Sequence, residues 1–325
     1  MAVNSQNTHQ VKGNIAMDQA QQININLACP QTMNGRMVQD IIFTYCGRTS
    51  EYEQLGPERK KFLSSLVTPD LLASQAHGGF LPLHESLLKE CFHELHAYRR
   101  EANTDIEDIR KDQYSAFDSL DDDHVGILDR WLRTDAGSDF LLLEGYENMP
   151  DLPCSTNLLL ETLHCFQKAL INPGTRNEIS FVYHLCGTGG TLDILMQDLL
   201  IQLLESHQDE FHNSDTNHSD YLTIEQFRKV ANSQELWRMF MRCINRAGIR
   251  KLMIMLDHIE YYSETHNQIQ PYNLIEELDS LIQELRGRVT VKVMVTSNCP
   301  KIRSNFDGIG ACNLWLPHPY HRMKG

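Results

Sequence analysis

The sequence predicts an α/β fold in which helices cover both faces of a mostly parallel sheet. Short apolar runs and amphipathic helical patterns alternate from residue 139 to residue 316, as is typical of strand–helix–strand units. The clearest run spans residues 252–256 and ends at Asp257. An unbroken apolar run of this length indicates a strand that is buried on both faces. We therefore expect a parallel sheet in the second half of the chain.

The other elements are predicted in chain order around this run. Further strands are expected at 140–143, 179–186, 291–295 and 312–316. Amphipathic helices are expected at 127–132, 159–170, 192–204 and 274–285, with a helix pair that ends at 247. Right-handed crossovers place the carboxyl ends of parallel strands along one edge of the sheet. Gly145, Asp257 and Ser297 should therefore lie on that edge.

The chain divides into three predicted regions. Residues 1–34 are rich in Asn and Gln and poor in large apolar side chains, so they cannot bury enough surface to offset chain entropy and are expected to be disordered. Residues 35–125 are expected to be helical, since 87–95 carries one apolar stripe at helical spacing. Residues 126–325 form the predicted α/β domain.

The charge and the cysteines limit the partners and the compartment. The 325 residues carry a net charge of −14, which argues against a nucleic-acid or anionic-membrane partner. No apolar run approaches the ~20 residues that a membrane span needs. Nine cysteines are scattered without a Cys-x-x-Cys pair, and the N-terminus shows no signal pattern. We therefore expect a reducing, cytoplasmic setting.

Residues 126–317 resemble the NACHT-type NTPase core of fungal STAND proteins (signal-transduction ATPases). The matching segments, in order, are Trp131-Leu132, Ser155-Thr156 as the end of Walker A, the LL-x-QLL helix at 199–204, Walker B at 252–260, and the sensor-1 strand that ends at Thr296-Ser297. The resemblance implies a P-loop NTPase-like three-layer fold. The nucleotide-binding positions that it implies are Gly145, Ser155, Thr156, Asp257, Glu260 and Ser297.

The same motifs lack several residues that nucleotide binding and hydrolysis require. A P-loop needs Gly-x-x-x-x-Gly-Lys-Ser/Thr, in which backbone N–H groups and the lysine hold the phosphates. When the chain is aligned on Ser155, Cys154 takes the lysine position and Pro153, which has no N–H, takes the glycine position. Tyr261 replaces an acid of Walker B, and Asn298 stands in place of the sensor-1 arginine. The sequence therefore predicts that nucleotide hydrolysis is inefficient.

The leading hypothesis is a non-hydrolysing NACHT-like pseudo-NTPase that acts as a signalling or interaction scaffold. It predicts no catalytic residue, no metal and no cofactor, and a protein partner or self-association. The alternative is an active or slow STAND NTPase that binds ATP or GTP with Mg²⁺. In that case Ser155 or Thr156 would hold the metal with Asp257, and Glu260 would position water.

A third hypothesis is a calcium-responsive module formed by the loop 215–226. Oxygen-bearing side chains stand at positions 1, 3, 5 and 9 of this loop, as in an EF-hand. However, position 6 is Asp220 instead of glycine, and position 12 is Gln226 instead of the bidentate glutamate. These two departures favour a variable insertion over a calcium site.

Overall fold

The computed structural model describes a part of the chain that includes all five strands of one sheet. The described residues are 33–45, 83–95, 97–99, 117, 120–133, 139–145, 154–170, 179–185, 191–212, 222–260, 274–299, 302–306, 309 and 311–315. Most of the segment predicted to be disordered, residues 1–32, lies outside them. Met33 and Asn34, which close that predicted segment, begin the first helix instead.

Five parallel strands form the sheet, as the sequence predicts. They are β1 Asp139–Glu144, β2 Ile179–His184, β3 Lys251–Leu256, β4 Thr290–Ser297 and β5 Cys312–Trp315. Their order across the sheet is β2-β3-β4-β1-β5, and β1 pairs in parallel with both β4 and β5. The predicted α/β fold, a parallel sheet between two layers of helices, is confirmed.

The helices that the structure describes flank this sheet. They are α1 Met33–Tyr45, α2 Leu83–Glu90, α3 Asp122–Leu132, α4 Cys154–Leu170, α5 Leu192–Ser206, α6 Gln208–His212, α7 Ile224–Arg228, α8 Ser233–Arg246, α9 Leu274–Leu285 and α10 Arg303–Phe306. None of the described helices is long and apolar enough to cross a membrane.

Two helices begin several residues before the predicted position. The Asp121 carboxylate accepts a hydrogen bond from the His124 N–H and caps α3, so the acidic run 121–123 forms the cap and the first turn of that helix. Carboxylates are favourable there because the helix dipole is positive at its N-terminus. Helix α4 starts at Cys154, which places Ser155 and Thr156 in its first turn, at the edge of the sheet.

The alternation of side chains along the strands separates two apolar cores. Leu252 and Ile254 of β3 pack with α5, α8 and α9 on one face, whereas Met253 and Met255 pack with α1, α3 and α4 on the other. The crossover after β1 therefore lies on the opposite face from those after β2 and β3. Such a reversal opens a crevice at the carboxyl ends of the strands, the usual ligand site of doubly wound sheets.

Candidate functional site

The crevice brings the six sequence-predicted positions to one edge of the sheet. Gly145 follows β1, and its N–H donates to the carbonyl oxygen of Ser297, the last residue of β4, at 3.2 Å. Asp257 follows β3 directly, and Ser155 and Thr156 lie in the first turn of α4. Glu260 completes the group, since it accepts a hydrogen bond from the backbone N–H of the residue after β4.

Asp257 is the centre of this edge and is 4% exposed. Its Oδ1 atom accepts hydrogen bonds from Thr156 Oγ1 at 2.8 Å and from Thr296 Oγ1 at 2.6 Å. Burial raises the pKa of the Asp257 carboxyl above its ordinary value. Thr296 belongs to the sensor-1 segment of the sequence analysis but was missed as a site residue. Its place at the end of an apolar strand, one residue before Ser297, was the available signal.

The hydroxyl that faces Asp257 belongs to Thr156, whereas the sequence alignment used Ser155. In a P-loop, the hydroxyl that meets the metal follows the lysine directly. Thr156 therefore corresponds to the metal-binding hydroxyl, and Ser155 corresponds to the lysine. The alignment on Ser155 instead places the lysine position one residue earlier, at residue 154. The lysine is absent in either register, since residue 154 is Cys and residue 155 is Ser. The preceding loop, 146–153, lies outside the described residues.

His258 is the second residue that sequence reasoning missed. It adopts a φ of 50°, which is uncommon for a residue with a side chain and points to a local constraint. Its backbone N–H donates to Thr296 Oγ1 at 2.8 Å. Its Nδ1 atom lies 3.1 Å from Glu260 Oε1, and its Nε2 atom lies 3.4 Å from Thr156 Oγ1 and 3.9 Å from Asp257 Oδ2. The imidazole is thus enclosed by the two acids and a hydroxyl.

The electrostatics of this group favour a charged pair. Burial opposes protonation of His258, but the hydrogen bond to Glu260 and the charge of Asp257 outweigh it and raise the pKa of the imidazole. Burial also opposes ionisation of Glu260, but His258 and the Asn298 N–H outweigh it and lower the pKa of Glu260. Glu260 is therefore a weak base that is held by its neighbours, which is unsuited to activating water.

A small polar recess lies beside this group, against Gly145. A Cβ atom at position 145 would lie 2.9 Å from both Ser155 Oγ and Asn298 Oδ1. Both oxygens are buried and have no hydrogen-bond partner among the described residues. Glycine at 145 thus permits the close approach of α4 and of the residue after β4, and a larger residue would require one of these side chains to shift.

These described residues do not fit a Mg²⁺–nucleotide. Mg²⁺ needs near-octahedral oxygen ligands and keeps several waters, but the His258 ring lies against Thr156 and Asp257. No group of three His, Cys, Asp or Glu side chains in the described part of the chain is arranged to hold a metal ion. The lysine that would reach the phosphates is also missing.

A second buried group, the Arg99 cluster, lies at the carboxyl end of β2 and consists of Tyr98, Arg99, His184 and Asp198. Arg99 Nε donates to Asp198 Oδ1 at 2.8 Å, and the His184 Nδ1 atom lies 2.8 Å from Asp198 Oδ2. The Tyr98 ring stacks on His184 with centroids 5.0 Å apart. Burial would raise the pKa of Asp198, but Arg99 and His184 outweigh it and lower the pKa to about 2. This cluster fastens residues 97–99 to the α/β core.

The described end of the proposed calcium loop serves as a helix cap. Thr223 is the N-cap of α7, and its N–H donates to Gln226 Oε1 at 3.1 Å. The side-chain oxygen at the twelfth loop position is therefore engaged by the backbone. Residues 215–221 lie outside the described residues, so the calcium hypothesis stays a prediction.

No family model matches the chain, and no curated protein is similar to it in sequence. Among solved structures, the ADP form of the Aeropyrum pernix ORC2 protein is similar over 60% of this chain and 46% of that chain, with 14% identity and a TM-score of 0.39. Its ADPNP-ADP complexes match over 60% and 45%, with 15% identity and a TM-score of 0.39. This chain thus spans less than half of those proteins.

Proposed function

We propose that this chain carries a degenerate, NACHT-like P-loop domain that does not turn over nucleotide and serves as an interaction scaffold. The observation that carries this proposal is the hydrogen bond from Thr156 to Asp257, because it puts Ser155 in the lysine position. A lysine–phosphate contact is a charge-assisted hydrogen bond of about 1.5–3 kcal/mol. Without it, the crevice loses its main hold on the transferred phosphate.

The other charged groups of the crevice do not replace the lysine. Glu260 is engaged by His258 and by the N–H of Asn298. Arg303 is the arginine that pairs with this edge, and its guanidinium lies 3.6 Å from Glu144 Oε2. Since Glu260 is engaged in this way and Arg303 lies against Glu144, we infer that neither replaces the lysine in stabilising charge that develops on a phosphate.

The scaffold part of the proposal rests on the surface charge. A net charge of −14 favours association with a basic surface, on a partner protein or on a second copy of this chain. Such pairing should weaken as salt rises through ~0.15 M, where exposed charges are screened over about 8 Å. A cytoplasmic location, and a partner other than nucleic acid, remain part of this proposal.

The test of the catalytic part compares the purified chain with Asp257→Asn. We expect ATP and GTP turnover at the same background rate for both, with nucleotide affinity unchanged by Mg²⁺ or by the substitution. Asp129→Asn, which removes a surface carboxylate paired with Arg133, is the matched control. Turnover that Asp257→Asn abolishes and Asp129→Asn leaves intact would overturn the proposal.

Sedimentation velocity of the purified chain from 0.05 to 0.5 M NaCl tests self-association. We expect larger species at the low-salt end that dissociate as salt rises. If the chain stays monomeric at every salt concentration, self-association is wrong, and the scaffold role then depends on a different protein.

The slow Mg²⁺-dependent NTPase is the second candidate, and the retained contact between Thr156 and Asp257 favours it. It predicts a Mg²⁺-dependent nucleotide affinity that Asp257→Asn removes. The measurement of nucleotide affinity with and without Mg²⁺, for the natural chain and for Asp257→Asn, therefore distinguishes the two candidates.

A further inference from the structure

The oxygen atoms around His258 form a set that would suit a hard divalent cation. Asp257 and Glu260 supply carboxylates, and Thr156 supplies a hydroxyl, all within 4 Å of the imidazole nitrogens. Carboxylate and hydroxyl oxygens are the ligands that Mg²⁺ and Mn²⁺ prefer. The ring of His258 stands in the middle of this set, in the space that a metal and its waters would need.

Both nitrogens of the ring face acids. Nδ1 lies 3.1 Å from Glu260 Oε1, and Nε2 lies 3.9 Å from Asp257 Oδ2. Thr156 Oγ1 lies 3.4 Å from Nε2, and Asn298 Nδ2 lies 3.4 Å from Nδ1. The ring therefore occupies the space between the polar side chains that would have to surround a metal ion.

The backbone keeps the ring in this place. The φ of 50° turns the chain sharply after β3, and the His258 N–H donates to Thr296 Oγ1, which itself donates to Asp257 Oδ1. Glu260 is held by the Asn298 N–H at 3.1 Å. Hydrogen bonds thus connect the two acids, His258 and the end of β4, and these contacts hold the ring in the crevice.

We propose that the His258 side chain replaces the divalent cation of this crevice and closes it to Mg²⁺ and Mn²⁺. This inference rests on the proposed function in one respect, namely that the crevice is of the P-loop type. It goes further because it names the side chain that excludes the metal. It also implies that removing the ring should create a metal site where the natural chain has none.

The experiment titrates Mn²⁺ into the purified chain and follows the free ion by electron paramagnetic resonance. The natural chain and Asp257→Asn should show the same weak surface binding. His258→Gly, which removes the ring and suits the positive φ, should bind one further Mn²⁺. The affinity for this additional Mn²⁺ should be lower by about tenfold or more in the double variant His258→Gly/Asp257→Asn than in His258→Gly. His124→Ala, which removes a histidine paired with Asp121, should behave like the natural chain.

Circular dichroism would check that each variant is folded, and His258→Asn would replace His258→Gly if the latter is unfolded, since Asn also tolerates this φ. Mn²⁺ binding to the natural chain that Asp257→Asn removes would overturn the inference. A folded variant without the ring that gains no Asp257-dependent site would overturn it equally. Neither result depends on turnover, so a failure here is distinguishable from a failure of the proposed function, which the hydrolysis assay decides.

Discussion

The two buried clusters of this protein use similar groups with opposite results. In the crevice, Asp257 lies beside His258 at the end of β3, and in the Arg99 cluster, Asp198 lies beside His184 at the end of β2. Burial acts in the same direction on both aspartates. Yet the pKa of Asp198 is lowered to about 2, whereas the pKa of Asp257 is raised.

The difference lies in the partners. Asp198 meets a guanidinium through nitrogens at 2.7 and 2.8 Å and an imidazole at 2.8 Å, so charge-assisted hydrogen bonds outweigh its desolvation. Asp257 meets two neutral hydroxyls, and its histidine is 3.9 Å away. The pKa of a buried aspartate is thus lowered or raised according to the cation that tertiary packing brings to it.

Leu199→Ala should give the largest loss of stability and serves as the reference for the other variants. Leu199 is the residue after Asp198 on α5 and is fully buried. The substitution leaves a cavity and should cost about 2–5 kcal/mol of unfolding free energy. Urea denaturation measures it. The matched control is Met37→Ala on α1, where the side chain is 42% exposed and a change within about 0.5 kcal/mol is expected. A Leu199 value in that small range would place the helix face outside the core.

Arg99→Ala tests the anchor and should be the next largest effect, about 3 kcal/mol, because the buried Asp198 carboxylate loses its guanidinium partner and keeps only His184. Arg133→Ala removes an arginine of the same kind from a solvent-exposed pair with Asp129 and should cost no more than about 0.5 kcal/mol. Equal losses in both variants, measured by urea denaturation, would remove the distinction between anchor and surface pair.

The pH dependence of stability should differ in sign between the two aspartates. The folded pKa of Asp198, about 2, lies below its ordinary value, so its ionised form stabilises the fold above pH ~4 and this stability is lost as pH falls toward 2. The stability difference between the natural chain and Asp198→Asn should therefore shrink by about 2 kcal/mol over that range.

Asp257 should behave in the opposite way. Its folded pKa is raised, so its contribution is present at low pH and is lost as pH rises from the ordinary pKa through the raised one. Asp257→Asn should therefore gain stability relative to the natural chain as pH rises. Parallel pH profiles of the Asp198 and Asp257 variants in urea titrations would contradict the comparison.

Gly145→Ala should give the smallest effect, a loss of about 1 kcal/mol, at the low end of the range for overpacking. The added Cβ meets Asn298 Oδ1 and Ser155 Oγ at 2.9 Å, but the Asn298 side chain can shift. Gly126→Ala is the matched control, since nothing lies within 4 Å of a Cβ there in α3. Alanine should stabilise that helix by about 0.5–1 kcal/mol. A higher melting temperature for both alanine variants would contradict this prediction, because it would show that a Cβ fits at position 145.

The sequence by itself determined the sheet and its functional edge. Apolar runs such as 252–256 become strands because only side chains buried on both faces tolerate such continuity. The handedness of crossovers then places Gly145, Asp257 and Ser297 together, as the structure confirms. These features follow from local pattern and chain chirality, so they could be predicted without knowing a single side-chain contact.

Only the tertiary structure decided which side chains meet. Thr156 and Asp257 are separated by 101 positions, and Arg99 and Asp198 by 99, so no local pattern encodes either contact. The choice of Thr156 over Ser155 depends on where α4 begins, and the position of the His258 ring depends on a backbone turn and a hydroxyl from β4. Side-chain direction at a strand end is set by packing between distant segments, and the chemistry of this crevice depends on that direction.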